Sequence, residues 1–374
     1  MKIDIPILGF GKAGGYRVLS RLATEWKRKG HAVRILSNQA SISPYFPTEA
    51  EIIWLTDSGK RVNGNKPQLL KQRGGVFHVV KNLCSLFLGL CRYSRSTDVI
   101  LANHSLTSWP VLCSVSRGTK FYYVQAYEAE FYANSAEGRR RILQYQAWLS
   151  YLLPLRRIVN APVYLKYRNL RAKSWVPPGV DFSIFKPRTT LRHQENAILT
   201  LACIGRKEPD KGTRYVLEAF AILKSRGEHV RLLVAYGNLP DEMKDREGIE
   251  VIVPANDSEL ADFYRKADIF IAPALGQHGA PHYPVMEAMA CGVPLITTGY
   301  MPASAENCWS VNERDPCGIV NAVETICMNK NERDIRVGNS LEDIKRFRWD
   351  SVAGEMEVLF TESRSNFYSN LIAL

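Results

Sequence analysis

The chain has 374 residues, 46% of them apolar, and 49 Lys and Arg against 37 Asp and Glu, a formal net charge of +12. That length exceeds one ordinary core and suits two α/β domains, and the apolar share excludes a disordered chain. The longest apolar runs, such as Ile198 to Ile204, are too short to span a membrane, and eight cysteines without a Cys-x-x-Cys pair argue against a zinc site and for reduced core thiols.

The opening MKIDIPILGFGK lacks the apolar core and cleavage site of a secretory leader, which points to a cytoplasmic protein. Lys2 to Leu8 predicts a strand, Gly9 to Gly15 a glycine loop, and the residues to about Lys29 an amphipathic helix. Ala32 to Leu36 is the next strand, so the chain opens as a parallel βαβ unit. Gly9, Gly11 and Gly14 spell G-x-G-x-x-G. The dinucleotide reading needs an acid at the end of the second strand, and that strand ends in Ser37-Asn38-Gln39. The glycines instead predict close approach of backbone to a phosphate or sugar.

Glu51 to Leu55 is a strand, Asp57 to Gly75 an exposed polar loop, and Val76 to Tyr93 an apolar helix. The strands Asp98 to Ala102 and Lys120 to Val124 end in His104 and in Gln125-Ala-Tyr127-Glu128. Open α/β sheets place ligands at such C-terminal strand ends, which makes His104, Gln125, Tyr127 and Glu128 candidates. Ile142 to Leu153 predicts a helix, Arg157 to Val159 a strand and Val163 to Leu170 a helix. No acid occurs between Glu137 and Asp181, while Arg139, Arg140, Arg141, Arg156, Arg157, Lys166, Arg168, Arg171 and Lys173 fall there with several aromatics. No nucleic-acid module surrounds them. The stretch fits an anionic membrane surface or anionic acceptor, and equally a solvated basic face.

Trp175 to Pro187 is a stiff Pro-rich connector and 188 to 197 a polar linker. The domains predicted are therefore 1–187, 188–348 and a C-terminal helical segment, 349–374, returning to the first. The second half repeats the grammar of the first. A strand at Ile198 to Ile204 leads into the loop Gly205 to Gly212 and a helix from Thr213 to Ser225. Strands follow at Val230 to Ala235 and Ile249 to Val253, then a helix capped by Asp257 and a strand at Asp268 to Ala272. In Gly276 to Thr298, Pro284 predicts the first helical position, with Glu287 in the first turn, and Gly292 a left-handed stop. A helix N-terminus attracts phosphate, and a carboxylate beside it can hold sugar hydroxyls. Asp315-Pro316 starts another helix, and Trp349 to Phe360 is amphipathic.

Four segments together resemble retaining glycosyltransferases of family 4, with the GT-B fold: two Rossmann-like doubly wound α/β domains facing a cleft. Val176-Pro-Pro-Gly-Val-Asp-Phe-Ser-Ile-Phe185 resembles the interdomain element P-x-G-V-D-x-x-x-F. Gly205-Arg206 with Lys211-Gly212 resembles G-R-x-x-x-x-K-G, and Val285-Met-Glu287-Ala-Met-Ala-Cys-Gly-Val-Pro294 resembles L-E-A-M-A-C-G-x-P. Gly14-Gly15 resembles the N-terminal glycine loop. The resemblance implies that Gly205, Arg206 and Lys211 hold a donor diphosphate, with His282, Tyr283, Pro284 and Val285 around it. It also implies that Glu287 holds the ribose and Gly15 admits the phosphate. Fixed cations would then stabilise the leaving diphosphate without a metal or other cofactor.

Two departures stand out. The family pattern Glu-x7-Glu has Gly279 at its first position, so the sugar contact is absent or falls to His278 or His282. Gln125 stands where a His is common. Tyr123 to Tyr132 resembles Q-x-Y-E-x-x-F-Y of a rhamnosyltransferase-like branch, which implies a deoxyhexose donor such as dTDP-rhamnose. The expectation is a hexosyltransferase using a UDP-, dTDP- or GDP-linked sugar and a glycan or lipid-linked acceptor in cell-surface polysaccharide synthesis. It would be cytoplasmic or peripheral on the inner membrane face, with no nucleic-acid partner. The alternatives are a weakly catalytic nucleotide-sugar-binding scaffold and a sugar-nucleotide epimerase of the same fold.

Overall fold

Strands that are apolar on both faces need cover on both sides, and helices after each strand supply it. The computed structural model describes the chain except residues 63–74, 134–137, 189–197, 240–242, 244–245 and 373–374. It divides into a first unit, Met1–Pro178 with Trp349–Leu374, and a second, Gly179–Arg348. The division thus falls within the Pro-rich connector, ahead of the polar stretch 188–197.

The first unit holds β1 (Lys2–Pro6), β2 (Ala32–Asn38), β3 (Glu51–Leu55), β4 (Val99–Ala102), β5 (Thr119–Val124), β6 (Arg156–Val159) and β7 (Ser174–Trp175). They form one parallel sheet in the order β3-β2-β1-β4-β5-β6-β7. Its helices are α1 (Gly14–Arg28), α2 (Val76–Tyr93), α3 (Ser105–Cys113), α4 (Glu128–Ala133) and α5 (Gly138–Ser150). The strand order reverses between β1 and β4, so the loops after these two strands diverge and leave a crevice at their C-terminal ends.

The second unit repeats the plan. β8 (Leu199–Ile204), β9 (Val230–Ala235), β10 (Ile249–Ile252), β11 (Ile269–Ala272), β12 (Leu295–Thr297) and β13 (Trp309–Ser310) form a parallel sheet in the order β10-β9-β8-β11-β12-β13. Around it lie α6 (Thr213–Ser225), α7 (Asp257–Lys266), α8 (Tyr283–Ala290), α9 (Pro316–Met328) and α10 (Lys330–Asp343). The reversal here lies between β8 and β11. Val180 N–H donates to the Phe347 carbonyl at 2.7 Å, which ties the start of this unit to its end.

The last helix, α11 (Trp349–Ile372), belongs to the first unit. Trp26 of α1 donates its indole N–H to the Ala353 carbonyl at 3.1 Å, and Phe360 packs 5.5 Å from the Trp26 ring and 4.8 Å from Phe121. The helix runs beyond the predicted Phe360.

Several local expectations are corrected. The residues predicted as a helix from Val163 to Leu170 make a short 3₁₀ turn, Pro162–Lys166, because Tyr167 leaves helical geometry at ψ 99°. Asn256, not Asp257, caps α7, its side chain accepting from the Glu259 N–H at 3.0 Å. Gly14 and Gly15 are the first residues of α1 rather than loop. Helices α3 and α4 were not anticipated, nor was α10; the open side of α3 carries Leu106, Trp109 and Cys113 while its buried side carries Ser105, Thr107 and Ser108, so there is no amphipathic period to detect. Most of the predicted loop 57–75 lies outside the described residues. All eight cysteines are free, but only Cys203, Cys291 and Cys308 are buried, so the thiols are not all core residues. Among the described residues no helix is long and apolar enough to cross a membrane.

Candidate functional site

In the second unit the site grows from two loops at the point where strand order reverses. The first, after β8, begins at Gly205, whose N–H donates to the Ala235 carbonyl at 2.8 Å. A Cβ there would meet Val234 Cγ1 at 2.7 Å, so only glycine fits. Arg206 N–H donates to Thr213 Oγ1 at 3.0 Å, which ties the loop to the first turn of α6. A 3₁₀ turn, Pro209–Lys211, then delivers Lys211. Gly212 follows at φ 72°, and a Cβ on it would lie 2.1 Å from the Pro273 carbonyl oxygen. Left-handed backbone and this close approach both demand glycine. The second loop, after β11, is bound to the first by the Leu275 N–H, which donates to the Asp210 carbonyl at 2.6 Å.

That second loop leads to α8. Its N-cap is His282, extended at φ −130°, and the Val285 and Met286 N–H groups turn back to the His282 carbonyl. The helix therefore starts at Tyr283, one residue earlier than predicted. Pro284 occupies its second position, where a missing N–H is still harmless. Glu287 is consequently in the second turn, not the first. At the far end, the Gly292 N–H bonds to the Met289 carbonyl and the Val293 N–H to that of Ala288, with Gly292 at φ 66°. This paired closure is the glycine stop that was predicted.

The electrostatics converge on His282. Its Nδ1 is shielded and has no hydrogen-bond partner, although part of the residue reaches the surface. Burial first, then the positive charges of Lys211 and Arg206, push its pKa down to about 3. Arg206 and Lys211 thus act on the tip of α8, where the helix dipole is also positive. Lys211 lies 3.1 Å from Asp210 on the open side. Glu287 is only 3% exposed and accepts from the Tyr264 hydroxyl at 2.9 Å. Burial, followed by the Glu287 charge, holds the Tyr264 phenol well above its usual pKa, so it stays a donor.

The loop between Gly276 and His282 accounts for the glycine at 279. Gly279 has φ 80°, a conformation glutamate would adopt only with strain. Its N–H donates to the Gly299 carbonyl at 2.8 Å. His278 turns to Glu313 at 3.0 Å, while the His282 ring packs on Tyr300 at 4.8 Å, tilted by 38°. Of the two histidines considered for the sugar contact, His278 is paired with Glu313 on the exposed side, while His282 has a shielded ring nitrogen without a partner.

In the first unit, the loop after β1 and the ends of β4 and β5 carry the other candidates. Gly15 meets Gln125: the side-chain amide reaches the Gly15 carbonyl at 3.4 Å, and a Cβ on Gly15 would lie 3.3 Å from Gln125 Oε1. Gly14 opens the same helix beside it. His104 caps α3, its Nδ1 accepting from the Leu106 N–H at 3.1 Å. That bond places the ring proton on Nε2, which faces Glu128 at 3.5 Å. Glu128 is heavily engaged. It accepts from the Ser105 N–H at 2.9 Å, the Ser105 hydroxyl at 2.6 Å and the Tyr122 hydroxyl at 3.3 Å. It therefore anchors the N-terminus of α3 and orients His104. Burial and the Glu128 charge raise the Tyr122 and Tyr151 phenols, which stay protonated. Tyr127 stacks on Tyr151 at 5.4 Å.

The candidates thus fall into three groups, each at C-terminal strand ends: Gly14, Gly15 and Gln125; His104 and Glu128; and Gly205, Arg206 and Lys211 with His282 to Glu287. Tyr264, Tyr300, Ser105 and Thr213 complete them and carried no signal in the sequence, since each is recruited from a distant or unmarked position. Among the described residues no cluster of His, Cys, Asp and Glu is arranged to hold a metal ion.

Residues 198–329 match the model of the family described as Glycosyl transferases group 1. The chain is 27% identical over 221 residues to D-inositol 3-phosphate glycosyltransferase of Corynebacterium glutamicum (strain R), covering 52% of each protein. It spans about half the length of the curated relatives it matches first. Sucrose-phosphate synthase from Thermosynechococcus elongatus has a similar structure, with a TM-score of 0.75 at 17% identity over 98% of this chain and 100% of that one. HepE of Anabaena, solved in complex with UDP-glucose, gives 0.66 at 13% identity over 98% and 100%. The fold is GT-B, two Rossmann-like parallel-sheet units.

Proposed function

We propose that the chain is a glycosyltransferase that moves a sugar from a nucleoside diphosphate to a hydroxyl. The observation that carries this reading is that the loop with Arg206 and Lys211 is hydrogen-bonded, Leu275 N–H to the Asp210 carbonyl, to the loop that leads into the tip of α8, where both charges lower the His282 pKa. Two fixed cations and a helix N-terminus suit the charge that grows on a departing diphosphate. The family match over 198–329 covers the residues in question, and the Anabaena neighbour is solved with a nucleotide sugar.

In the proposed reaction the bond from the anomeric carbon to the diphosphate oxygen breaks. The acceptor hydroxyl oxygen bonds to that carbon on the same face, and its proton passes to the leaving phosphate. Configuration is retained, and no strong protein base or metal is required. That demand on positioning rather than basicity is compatible with Gln125, whose amide is already turned to Gly15. His104, oriented by Glu128, serves to align the acceptor. His282 reaches the transferred sugar, which Gly279, having no side chain, cannot do. Glu287 holds the ribose through the oxygen atoms that Tyr264 positions.

The donor is UDP-, dTDP- or GDP-linked; the resemblance of Tyr123 to Tyr132 to the rhamnosyltransferase-like pattern Q-x-Y-E-x-x-F-Y makes dTDP-rhamnose the first donor to test. The acceptor is a glycan or lipid-linked glycan of cell-surface polysaccharide synthesis. The exposed face of α5 with Arg141, Ile142, Tyr145 and Trp148 suits peripheral contact with an anionic membrane. Salt-sensitive flotation with anionic liposomes tests that contact, and no binding at low salt removes it.

The deciding experiment incubates pure protein with nucleotide sugars and candidate acceptors. Arg206→Ala and Lys211→Ala should abolish turnover in folded protein, and undiminished activity in both refutes the assignment. Gly279, fixed as glycine by its φ of 80°, favours one other reading, a nucleotide-sugar-binding scaffold. In that case nucleotide binds and no sugar moves with any acceptor.

A further inference from the structure

The basic stretch that follows α5 is not spread evenly over a surface. Arg156, Arg157, Arg171 and Lys173 line one cavity of about 290 Å³ in the first unit, with Ser174 beside them and Leu359, Glu362 and Ser363 of α11 on the other side. The cavity lies where β6 and β7 begin. His104, Gln125 and Gly15 stand at the opposite ends of the same strands or of their neighbours, so this is a different place from the site described above.

Four cations face a single carboxylate, Glu362, in this lining. Arg156, Arg171 and Lys173 make no ion pair with any described residue. Arg157 is half-buried, and its shielded Nε has no hydrogen-bond partner while its terminal nitrogen donates to the Leu153 carbonyl at 2.5 Å. Burial, then the charge of the nearby Arg171, lower the Arg157 pKa, in keeping with two guanidinium groups lining one cavity. Arg171 also sits at φ 47°, in backbone that residues other than glycine seldom adopt. Nothing in the packing of a plain structural edge calls for this concentration of like charge. Arginine forks at a half-closed cavity match the tetrahedral oxygens of a phosphate.

We propose that this cavity binds a phosphate-bearing anion, a phosphomonoester or a diphosphate, separately from the donor site. The phosphate is either free in solution or part of a lipid headgroup, and the same four cations serve both.

The test uses Arg206→Ala/Lys211→Ala protein, so that pyrophosphate captured by the donor site is not counted. Calorimetry with inorganic pyrophosphate should find one site in this background. Adding Arg171→Gly and Lys173→Glu should weaken it at least tenfold; glycine keeps the left-handed backbone at 171, and both side chains are exposed. Sedimentation with vesicles containing phosphatidic acid forms the second arm, and loss of vesicle binding in the same variant identifies a headgroup phosphate. In otherwise unaltered protein, Arg171→Gly/Lys173→Glu should leave UDP affinity unchanged. Absence of binding to both probes, or binding that survives the two substitutions, overturns the proposal whatever the fate of the donor site.

Discussion

Replacing Lys211 by alanine separates the proposed binding role from a structural one. The ammonium lies 3.1 Å from Asp210, with the two side chains 35% and 57% exposed. An ion pair so open to water contributes about 0–1 kcal/mol, so the variant should melt within a few degrees of the parent. A charge-assisted contact to a diphosphate is worth about 1.5–3 kcal/mol, which predicts UDP or dTDP binding weaker by about tenfold to about 150-fold. Calorimetry with each nucleotide measures the loss. A second readout comes from His282, on which Lys211 is the largest cause of pKa lowering after burial. Its imidazole, followed by NMR, should titrate at higher pH in Lys211→Ala than in the parent. Asp210→Ala is the control: it frees the ammonium and should not weaken nucleotide binding. Unchanged affinity together with an unmoved His282 titration would refute the claim that Lys211 and the tip of α8 form one anion site.

The pH dependence of stability follows from the same histidine. Its folded-state pKa of about 3 lies below the ordinary 6.5, so the unfolded chain takes up the proton first as pH falls. The stability is fully present above pH 6.5 and drains toward pH 3, by about 1–3 kcal/mol, a range reduced because part of the residue faces solvent. Urea titrations of the parent and of His282→Asn should show that acid limb only in the parent. Glu287→Ala leaves the buried Tyr264 hydroxyl without its 2.9 Å acceptor and should cost about 1–3 kcal/mol by denaturant titration, whereas Tyr264→Phe/Glu287→Gln should cost less than the sum of its parts. Gly212→Ala meets both a φ of 72° and the Pro273 carbonyl at 2.1 Å, and should destabilise the second unit by more than about 1 kcal/mol, read as a lower urea midpoint. His104→Ala removes a helix cap worth about 0.5–2 kcal/mol; a fall in turnover larger than the fall in stability would support its role toward the acceptor.

Much of the architecture is readable without coordinates because it depends on local chemistry. Runs such as Ile198 to Ile204 are apolar on both faces, a pattern that parallel strands covered by helices require. Gly292 stops α8 because a left-handed residue closes the end, and that preference is a property of glycine itself. The nine-residue α3, by contrast, escapes detection because apolar residues lie on its open side and polar ones on its buried side, and the stretch from Val163 ends as a short turn where Tyr167, packed against Tyr127 and Tyr164, is extended. Glu287 shifts to the second turn through one backbone choice at His282, a torsion that no residue pattern announces.

Residue types and spacings alone determined the strand–helix alternation, the glycine stops and the candidacy of Glu287, while Arg206 and Lys211 became candidates through the resemblance to family 4 glycosyltransferases. Only the tertiary structure decided which of these charges act on one another, because long-range packing sets the company each side chain keeps. It brought both cations close enough to lower the His282 pKa, recruited Tyr264 to Glu287, occupied Glu128 with Ser105 and Tyr122, and gathered four scattered cations from the basic stretch into one cavity. The alternation is written in local preferences of a few neighbouring residues, whereas these meetings join positions tens of residues apart that only the folded sheets bring together.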